Sequence, residues 1–269
     1  MIWMNARESS AATIKYFTEE AQLDYYSEGQ QIIGNWGGKG AVRLGLEGKL
    51  KNDDFVALCK NINPATGEHL TPRTRVERTC AYDITFDCPK SGSVVFAWTG
   101  DRRMEEAFYQ AVRETLTTEI EKEMRTRVRM NGQPDGDRIT GEMVWAEFPH
   151  FTARPVDGVP DPHMHVHVVV PNVTFDPVEQ RFKTGQFREL KRRMPSYEAA
   201  FHKRLSNNLQ TLGYRVRLAG KAFEIEGVPD SVNKTFSRRT KVIKKEEQDR
   251  GITDPAEATK ILHKCAPIL

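Results

Sequence analysis

Three segments of the chain alternate apolar and polar residues in the manner of β-strands: 78–87, 139–150 and 164–175. Residues 214–227 are typical of a closing hairpin with Ala219 and Gly220 at its turn. Three segments favour helices: about 10–28, 104–129 and 195–212. A glycine-rich loop over 34–50 leads into a small helical patch. Strands with long helices between them predict an α+β domain, with helices packed on an antiparallel sheet.

The composition is that of an ordinary globular protein, and 269 residues are enough for one large domain or two small ones. No segment has the length of a membrane span, and the N-terminus lacks the basic flank and apolar stretch of a signal peptide. We therefore expect no membrane insertion and a cytoplasmic location. Cys59, Cys80, Cys88 and Cys265 show no disulfide or zinc spacing, so reduced structural thiols are expected.

The net charge of +3 is unevenly distributed. Between residues 181 and 204 many basic residues are opposed only by Glu189 and Glu198, and Arg192 and Arg193 lie in the densest stretch. Basic residues interleaved with aromatic ones, such as Tyr197, suit a polyanion such as nucleic acid. The alternative is a solvated helix face.

His163, His165 and His167 occupy alternate positions in one predicted strand. Neighbours in this row are about 6.6 Å apart on one face and can share a metal ion, whereas the first and third are about 13 Å apart. A site with three histidines therefore needs a ligand from elsewhere, and His150 at the end of another predicted strand is the candidate. Asp83 on a third strand can orient a ligand histidine. A hydrogen-bonded histidine row without metal is the alternative.

Tyrosines cluster near the N-terminus at Tyr16, Tyr25 and Tyr26. A tyrosine can act as a covalent nucleophile when a cation or base lies close to it. Packing in the core or on the surface is the alternative for each of them.

Six motifs together resemble the relaxase domain of conjugative relaxases of the TrwC/TraI type. In chain order they are "KYFTEEAQLDYY", "NWGGKGAVRLGLEG", "YDITFDCPKSGSV", "DPHMHVHVVVPNVT" with His150 upstream, "YEAAFHKRLSNNLQTLGYRVR" and "FEIEGVPDSVNKTFSRR". The resemblance extends over about residues 13–240. It implies an antiparallel sheet that forms a palm, with C-terminal helices that close over single-stranded DNA.

The resemblance also implies roles for individual residues. Tyr16 matches the tyrosine that attacks a DNA phosphodiester, and Tyr25 and Tyr26 match a second pair that is available for a second transfer step. His150, His165 and His167 match the metal triad, for which Mg²⁺ or Mn²⁺ is expected, and Asp83 matches the aspartate that holds a ligand histidine. Arg154 matches a family arginine that could meet the scissile or an adjacent phosphate. Lys90, and Arg192 and Arg193 of the basic stretch, are further candidate DNA-binding residues. Two positions depart from the family pattern: Phe17 replaces a tyrosine, and Phe151 stands where an acidic residue is common.

The implied function is a metal-dependent nick in one DNA strand of a plasmid transfer origin, through a covalent 5′-phosphotyrosine intermediate. The implied partners are that single-stranded DNA, accessory DNA-binding proteins and secretion-coupling proteins in a bacterial cytoplasm. Residues 1–240 would form the relaxase domain, with 241–269 as a linker or the start of another domain. Three alternatives remain: a rolling-circle replication initiator, a DNA-binding module without cleavage, and a hydrolase of small phosphoesters.

Overall fold

The structure, a computed structural model, describes residues 1–20, 34–72, 78–130 and 133–249. Its centre is a five-stranded antiparallel sheet in the order β1-β3-β7-β6-β2. These strands are β1 (Ile2–Arg7), β2 (Asn35–Gly37), β3 (Ala81–Asp87), β6 (Trp145–Thr152) and β7 (Pro162–Pro171). Three two-stranded ribbons lie outside this sheet: β4 (Arg125–Met130) with β5 (Gln133–Ile139), β8 (Thr174–Asp176) with β9 (Arg181–Lys183), and β10 (Val216–Ala219) with β11 (Ala222–Ile225). The predicted α+β class with an antiparallel sheet is confirmed.

Helices cover the sheet and its edges. They are α1 (Ser10–Lys15), α2 (Lys39–Arg43), α3 (Asn52–Cys59), α4 (Lys90–Thr99), α5 (Arg102–Thr115), α6 (Arg188–Arg192), α7 (Met194–Thr211), α8 (Asp230–Thr235) and α9 (Arg238–Asp249). A π-helical turn, Tyr16–Glu20, continues α1, and Ser9 caps the N-terminus of α1 by accepting a hydrogen bond from the Ala12 amide. In the described part of the chain, no helix is both long and apolar enough to cross a membrane.

The two faces of β7 carry different side chains. Met164, Val166 and Val168 are buried in a core shared with α5 and α7. The alternate positions, which include His165 and His167, face the side on which Phe17, Phe55 and Phe148 form a second core. The strand thus has one face fixed by apolar packing while its other face presents histidines, because successive side chains point to opposite faces.

The predicted helix over 104–129 is partly wrong. The helical conformation of α5 continues through a π-helical turn, Leu116–Ile120, and a 3₁₀ turn, Glu121–Glu123, and then stops. Residues from Arg125 onward form β4 instead. Thr126 and Val128 are buried while Arg127 is exposed, which is the period of a strand. Pairing with β5 therefore makes residues from Arg125 onward a strand, although their local sequence favours a helix.

The remaining elements agree with the sequence more closely. The predicted strand over 78–87 contains β3, those over 139–150 and 164–175 overlap β6 and β7, and the predicted helix over 195–212 differs from α7 by one residue at each end. The hairpin is present, but Ala219 pairs with Ala222, so its turn is Gly220-Lys221 rather than Ala219-Gly220. Gly220 has φ +62, the left-handed region that favours glycine.

The short edge strand β2 was not predicted. Gly37 lies so close to the Trp145 indole that a Cβ atom there would be 2.3 Å from the ring nitrogen, so only glycine allows β2 to approach β6 in this way. The helix expected over 10–28 is present as α1 and the π-helical turn up to residue 20, and its remainder lies outside the described residues.

Candidate active site

Three histidine rings lie together on one face of the sheet. The antiparallel register of β6 and β7 places His150 directly opposite His165, and Phe148 opposite His167. The ring centroids are 5.1 Å apart for His150 and His165, 5.4 Å for His150 and His167, and 5.2 Å for His165 and His167. The predicted pairing of the two histidine-bearing strands is confirmed.

The surroundings keep two of these imidazoles neutral. Burial, and then the neighbouring His167, lowers the pKa of His150 to about 3. Burial and the other histidines hold the pKa of His165 well below its ordinary value. At neutral pH both rings are uncharged, which is the form of imidazole that binds a metal ion.

Asp83 on β3 holds the third ring. The Nδ1 atom of His167 lies 3.0 and 3.1 Å from the two carboxylate oxygens, and Thr85 donates a hydrogen bond of 3.3 Å to the same carboxylate. Burial alone would raise the pKa of Asp83, but His167 and then Arg7 outweigh burial and hold this pKa well below its usual range. The ionised carboxylate therefore accepts hydrogen bonds from His167 and leaves the other ring nitrogen, Nε2, available to a ligand.

His163 has a different partner from the other three histidines. Its Nε2 lies 3.1 Å from Oδ1 of Asp87, and its ring stacks on His165 with centroids 4.3 Å apart. The Nδ1 atom of His165 lies 2.8 Å from the backbone carbonyl oxygen of His163, which fixes that nitrogen as the donor. His163 thus orients its neighbour through the backbone, while its own side chain is engaged by a carboxylate.

The three rings fit a metal ion by their chemistry and spacing. The buried Nε2 of His150 has no hydrogen-bond partner, and an unsatisfied buried polar group costs about 1–3 kcal/mol. Imidazole nitrogens about 2 Å from one ion place their ring centroids about 5 Å apart, as observed here. In the conformation described, no three His, Cys, Asp or Glu side chains of the described ranges have ligating atoms close enough to share an ion.

Tyr16 lies beside this cluster. It is the first residue of the π-helical turn after α1, and its ring centroid is 6.2 Å from that of His167. Two guanidinium groups flank the ring, with the Cζ atom of Arg7 5.4 Å and that of Arg154 5.6 Å from the centroid. The Tyr16 side chain is thus half-buried, with a guanidinium group on each of two neighbouring residues, one of which is paired with Asp83.

The next residue, Phe17, belongs to the core. Its side chain is completely buried, and its ring centroid lies 4.9 Å from Phe148 and 6.2 Å from Phe55. A hydroxyl group on this ring would enter an apolar environment, where an unpaired polar group is costly. Phenylalanine at this position therefore completes the packing beneath Tyr16.

The comparison with known protein families agrees with this geometry. A family model described as TrwC relaxase matches residues 10–266. The chain belongs to the TrwC relaxase family. The match includes the tyrosine, the three histidines and the aspartate described above, and it agrees with the resemblance carried by the six sequence motifs.

Two relatives are long conjugation proteins. This relaxase domain is 31% identical over 255 residues to the multifunctional conjugation protein TraI of Escherichia coli, which covers 91% of the chain. It is 30% identical over 246 residues to TraI of strain K12, which covers 88% of the chain. The chain spans only 14% and 13% of the lengths of these relatives.

Solved structures share the fold. The conjugative relaxase TrwC in complex with oriT DNA, in its metal-bound form, superimposes with a TM-score of 0.81 and 27% identity, covering 95% of this chain and 86% of that one. A copper-bound complex of TrwC with oriT DNA has a TM-score of 0.82 and 27% identity, covering 97% and 89%.

The predicted DNA-binding residues of this relaxase have different surroundings. Arg154 lies over Tyr16, while the Lys90 ammonium donates a 2.8 Å hydrogen bond to the backbone carbonyl of Pro162. Burial lowers the pKa of Lys90. Tyr25 and Tyr26 lie outside the described residues.

The basic stretch around Arg192 and Arg193 has more acidic partners than Glu189 and Glu198 alone. Arg192 is paired with Glu189 at 2.7 Å, and Arg193 is paired with Glu123 at 2.8 Å. Both arginines lie where α6 meets α7, and these helices pack on the sheet face opposite the histidines. The partner Glu123 is distant in sequence, so a count of nearby charges does not reveal it.

Two residues of the site were not found from sequence. Arg7 ends β1, where it donates to Asp83, and Thr85 lies on β3 between Asp83 and the ring of His167. The alternation of buried Ile2 and Met4 with exposed Trp3 is the signal that could have identified β1 and its last residue.

Proposed function

We propose that this domain nicks one strand of a plasmid transfer origin and remains joined to the 5′ phosphate through Tyr16. The observation that carries the proposal is the position of Tyr16, flanked by two guanidinium groups and 6.2 Å from a ring of the histidine cluster. TrwC, a relative with the same fold, is described in complex with oriT DNA. The family of this chain supports the same reaction.

In the proposed reaction, the phenol oxygen of Tyr16 attacks the phosphorus, the bond from phosphorus to the 3′ oxygen breaks, and the DNA leaves as a 3′-hydroxyl. The phenol proton is lost and the leaving oxygen gains one. Because one phosphoester bond replaces another, the step needs no external energy source. Attack by a 3′-hydroxyl on the phosphotyrosine reverses the step and reseals the strand. Arg154, whose guanidinium lies beside the Tyr16 ring, would stabilise the negative charge that develops on the phosphate.

His150, His165 and His167 are proposed to hold a divalent metal ion, which would polarise a phosphoryl oxygen when bound. The Asp83 carboxylate accepts a hydrogen bond from Nδ1 of His167 and so keeps that ring oriented. We propose that the bound ion is Mg²⁺ or Mn²⁺, because these hard ions prefer oxygen ligands such as those of the DNA phosphate. A set of imidazoles also suits softer ions, and a TrwC relative is described in a copper-bound form.

The proposed working unit is residues 1–240, in the bacterial cytoplasm. Its proposed partners are single-stranded origin DNA, accessory DNA-binding proteins and secretion-coupling proteins. Two similar proteins, named multifunctional conjugation protein TraI, come from Escherichia coli, which supports a bacterial setting. The start of α9 is held to the loop before β7 by Arg238, whose backbone amide donates a 2.7 Å hydrogen bond to Asp161. This contact places the start of α9 beside the strand that carries the histidines, which supports the proposal that the C-terminal helices close over the DNA.

The test is incubation with labelled single-stranded oligonucleotides from transfer and replication origins, with and without divalent metal. We expect a protein–DNA adduct on a denaturing gel with a transfer-origin oligonucleotide, and its loss when a chelator is added. Binding without an adduct would support a non-catalytic module. Cleavage restricted to replication origins would support a replication initiator, and hydrolysis of small phosphoesters alone would support a metallohydrolase.

We expect Asp83→Asn to weaken metal binding and cleavage together. The amide keeps the shape of the side chain but loses the negative charge that orients His167, and such outer-shell changes typically cost about 10–100-fold in affinity or activity. Titration of the purified variant with metal, in parallel with adduct formation, measures both effects. Unchanged values would assign Asp83 to the stability of the sheet alone.

We expect Arg154→Ala and the double variant Arg192→Ala/Arg193→Ala to differ in the salt dependence of DNA binding. Each phosphate contact to a single strand contributes about 0.7 to the slope of log affinity against log salt. Arg154→Ala should lower the slope by about 0.7, the value for one phosphate contact. The double variant should leave the slope nearly unchanged, because Arg192 and Arg193 are held in ion pairs. Fluorescence anisotropy at several salt concentrations measures the slopes. A fall of about 1.4 in the slope of the double variant would show that Arg192 and Arg193 contact DNA phosphates.

A further inference from the structure

Arg7 joins the two halves of the site. It is the last residue of β1, two residues before the N-cap Ser9 of the helix that leads into Tyr16. Its guanidinium donates to Oδ2 of Asp83, while its Cζ atom lies 5.4 Å from the ring centroids of both Tyr16 and Phe17. One side chain thus contacts both the carboxylate that holds His167 and the turn that carries the proposed nucleophile.

The backbone of Arg7 is held by Cys80 and by the start of β3. Its carbonyl oxygen accepts a 2.8 Å hydrogen bond from the amide of Cys80 and another of 3.1 Å from the thiol of Cys80. The residue pairs with Ala81 across the sheet. Because the backbone is held by β3, the guanidinium can position both Asp83 and Tyr16.

The contact with Asp83 acts on the orientation of the carboxylate. Three groups surround this buried side chain: the His167 ring, the Thr85 hydroxyl and the Arg7 guanidinium. Only 1% of the Asp83 side chain is exposed, so these groups rather than bulk water fix its position. Because Arg7 is one of them, it helps to fix the carboxylate that holds His167.

The contact with the aromatic rings is of a different kind. A guanidinium within about 6 Å of a ring centroid is attracted to the face of the ring. Arg7 satisfies this distance for Tyr16 and Phe17, and the Arg7 Nε atom is buried without a hydrogen-bond partner in the described chain. The rings and Asp83 are therefore the groups that hold this guanidinium.

We propose that Arg7 is a positioning residue that couples the nucleophile to the metal centre: it holds Asp83, and through it His167, while it holds the Tyr16 turn against the same cluster. The part that concerns Tyr16 rests on the proposed nicking function. The part that concerns Asp83 and His167 rests on the contacts alone. Arg7 therefore has two separable effects, one on metal affinity and one on the rate of tyrosine attack.

The first experiment compares Arg7→Met with Arg43→Met by calorimetric titration of each purified protein with Mn²⁺ in the absence of DNA. Arg43 is a matched control because it also pairs with a carboxylate, Glu142, and lies over an aromatic ring, that of Phe175, outside the site. We expect Arg7→Met to weaken Mn²⁺ binding by about 10-fold, as an outer-shell change does, and Arg43→Met to leave it unchanged. Equal affinity in both variants and the wild type would overturn the part of the proposal that concerns Asp83 and His167.

A double-mutant cycle tests whether Arg7 acts through Asp83. If it does, Arg7→Met should weaken Mn²⁺ binding much less in an Asp83→Asn background than in the wild type, because the two changes remove one interaction. Thermal unfolding of all variants identifies a protein that has lost its fold rather than its site. Fully additive losses in folded variants would contradict the proposed path through Asp83.

The second experiment measures the single-turnover rate of adduct formation with both DNA and metal saturating. We expect Arg7→Met to be slower by on the order of 10-fold, less than the 100-fold or more typical of a donor that touches the developing charge directly. Arg7→Lys keeps the charge but lacks the planar fork that fits a carboxylate, so it should recover the rate more fully than the Mn²⁺ affinity. A wild-type rate in folded Arg7→Met would contradict the part of the proposal that concerns Tyr16.

The two experiments separate the inference from the function on which it rests. If wild-type protein forms no adduct with any origin oligonucleotide, the proposed nicking function fails. The titrations would still decide whether Arg7 controls the histidine cluster. If wild-type protein forms the adduct and Arg7→Met matches it in both rate and Mn²⁺ affinity, the function stands and the inference fails.

Discussion

Tyr16→Phe is expected to abolish the covalent protein–DNA adduct while DNA affinity stays nearly unchanged. The substitution removes the one oxygen that attacks the phosphate but keeps the ring, which contacts Phe17 and His167 with centroid distances of 4.8 and 6.2 Å. The turn and the neighbouring guanidinium groups therefore keep their packing partners. Adduct formation on a denaturing gel and DNA binding by anisotropy, both measured at saturating metal, provide the comparison.

Tyr25→Phe and Tyr26→Phe are the controls for this experiment. Both should form the first adduct as the wild type does, because the first step is assigned to Tyr16. Adduct formation by Tyr16→Phe at the wild-type rate would show that another residue is the first nucleophile. Mass spectrometry of the digested adduct would then identify that residue.

His165→Ala and His167→Ala are each expected to remove most metal binding and, with it, cleavage. Each change deletes one of three proposed ligands, so its effect should exceed the 10–100-fold loss typical of an outer-shell residue. His150→Ala should behave in the same way, because its ring lies 5.1 Å from that of His165 and 5.4 Å from that of His167. Metal content of the purified variants and their adduct yield measure the effect.

His163→Ala is the matched control on the same strand. Its side chain is engaged by Asp87, and the contact it makes to Nδ1 of His165 comes from the backbone, which the substitution keeps. Only a small loss of metal is therefore expected. A loss at His163 as large as that at His165 would mean that the ligands are the contiguous row on β7 and that His150 is not one of them.

Local periodicity was sufficient to predict the centre of this fold. The strands that carry Asp83, His150 and His165 each alternate clearly, and the sequence alone indicated that His150 would pair beside the histidine row. The register that brings His150 opposite His165 confirms this expectation. Because strand residues of one face are two positions apart, a chemical pattern on that face is visible in the sequence itself.

The errors occurred where partners are distant in sequence. Helical composition continues past Glu123, yet pairing with β5 makes the next residues a strand. The basic stretch around Arg193 looked uncompensated, yet Glu123 supplies a carboxylate 70 positions away. Arg7 was missed for the same reason, since its role depends on contacts with Asp83 and Tyr16 that only the closed sheet creates. Local patterns identify elements, but they do not identify which charges meet.

The large sequence separations within the site make its assembly a late event in folding. Arg7 and Asp83 are 76 residues apart, and Asp83 and His167 are 84 apart, so contacts between β1, β3 and β7 must all form before these groups meet. Long-range strand pairings of this kind are formed slowly compared with local helices. An incompletely folded chain can therefore carry these side chains without an assembled centre. We expect Mn²⁺ binding and adduct formation to appear only once β1, β3 and β7 have paired.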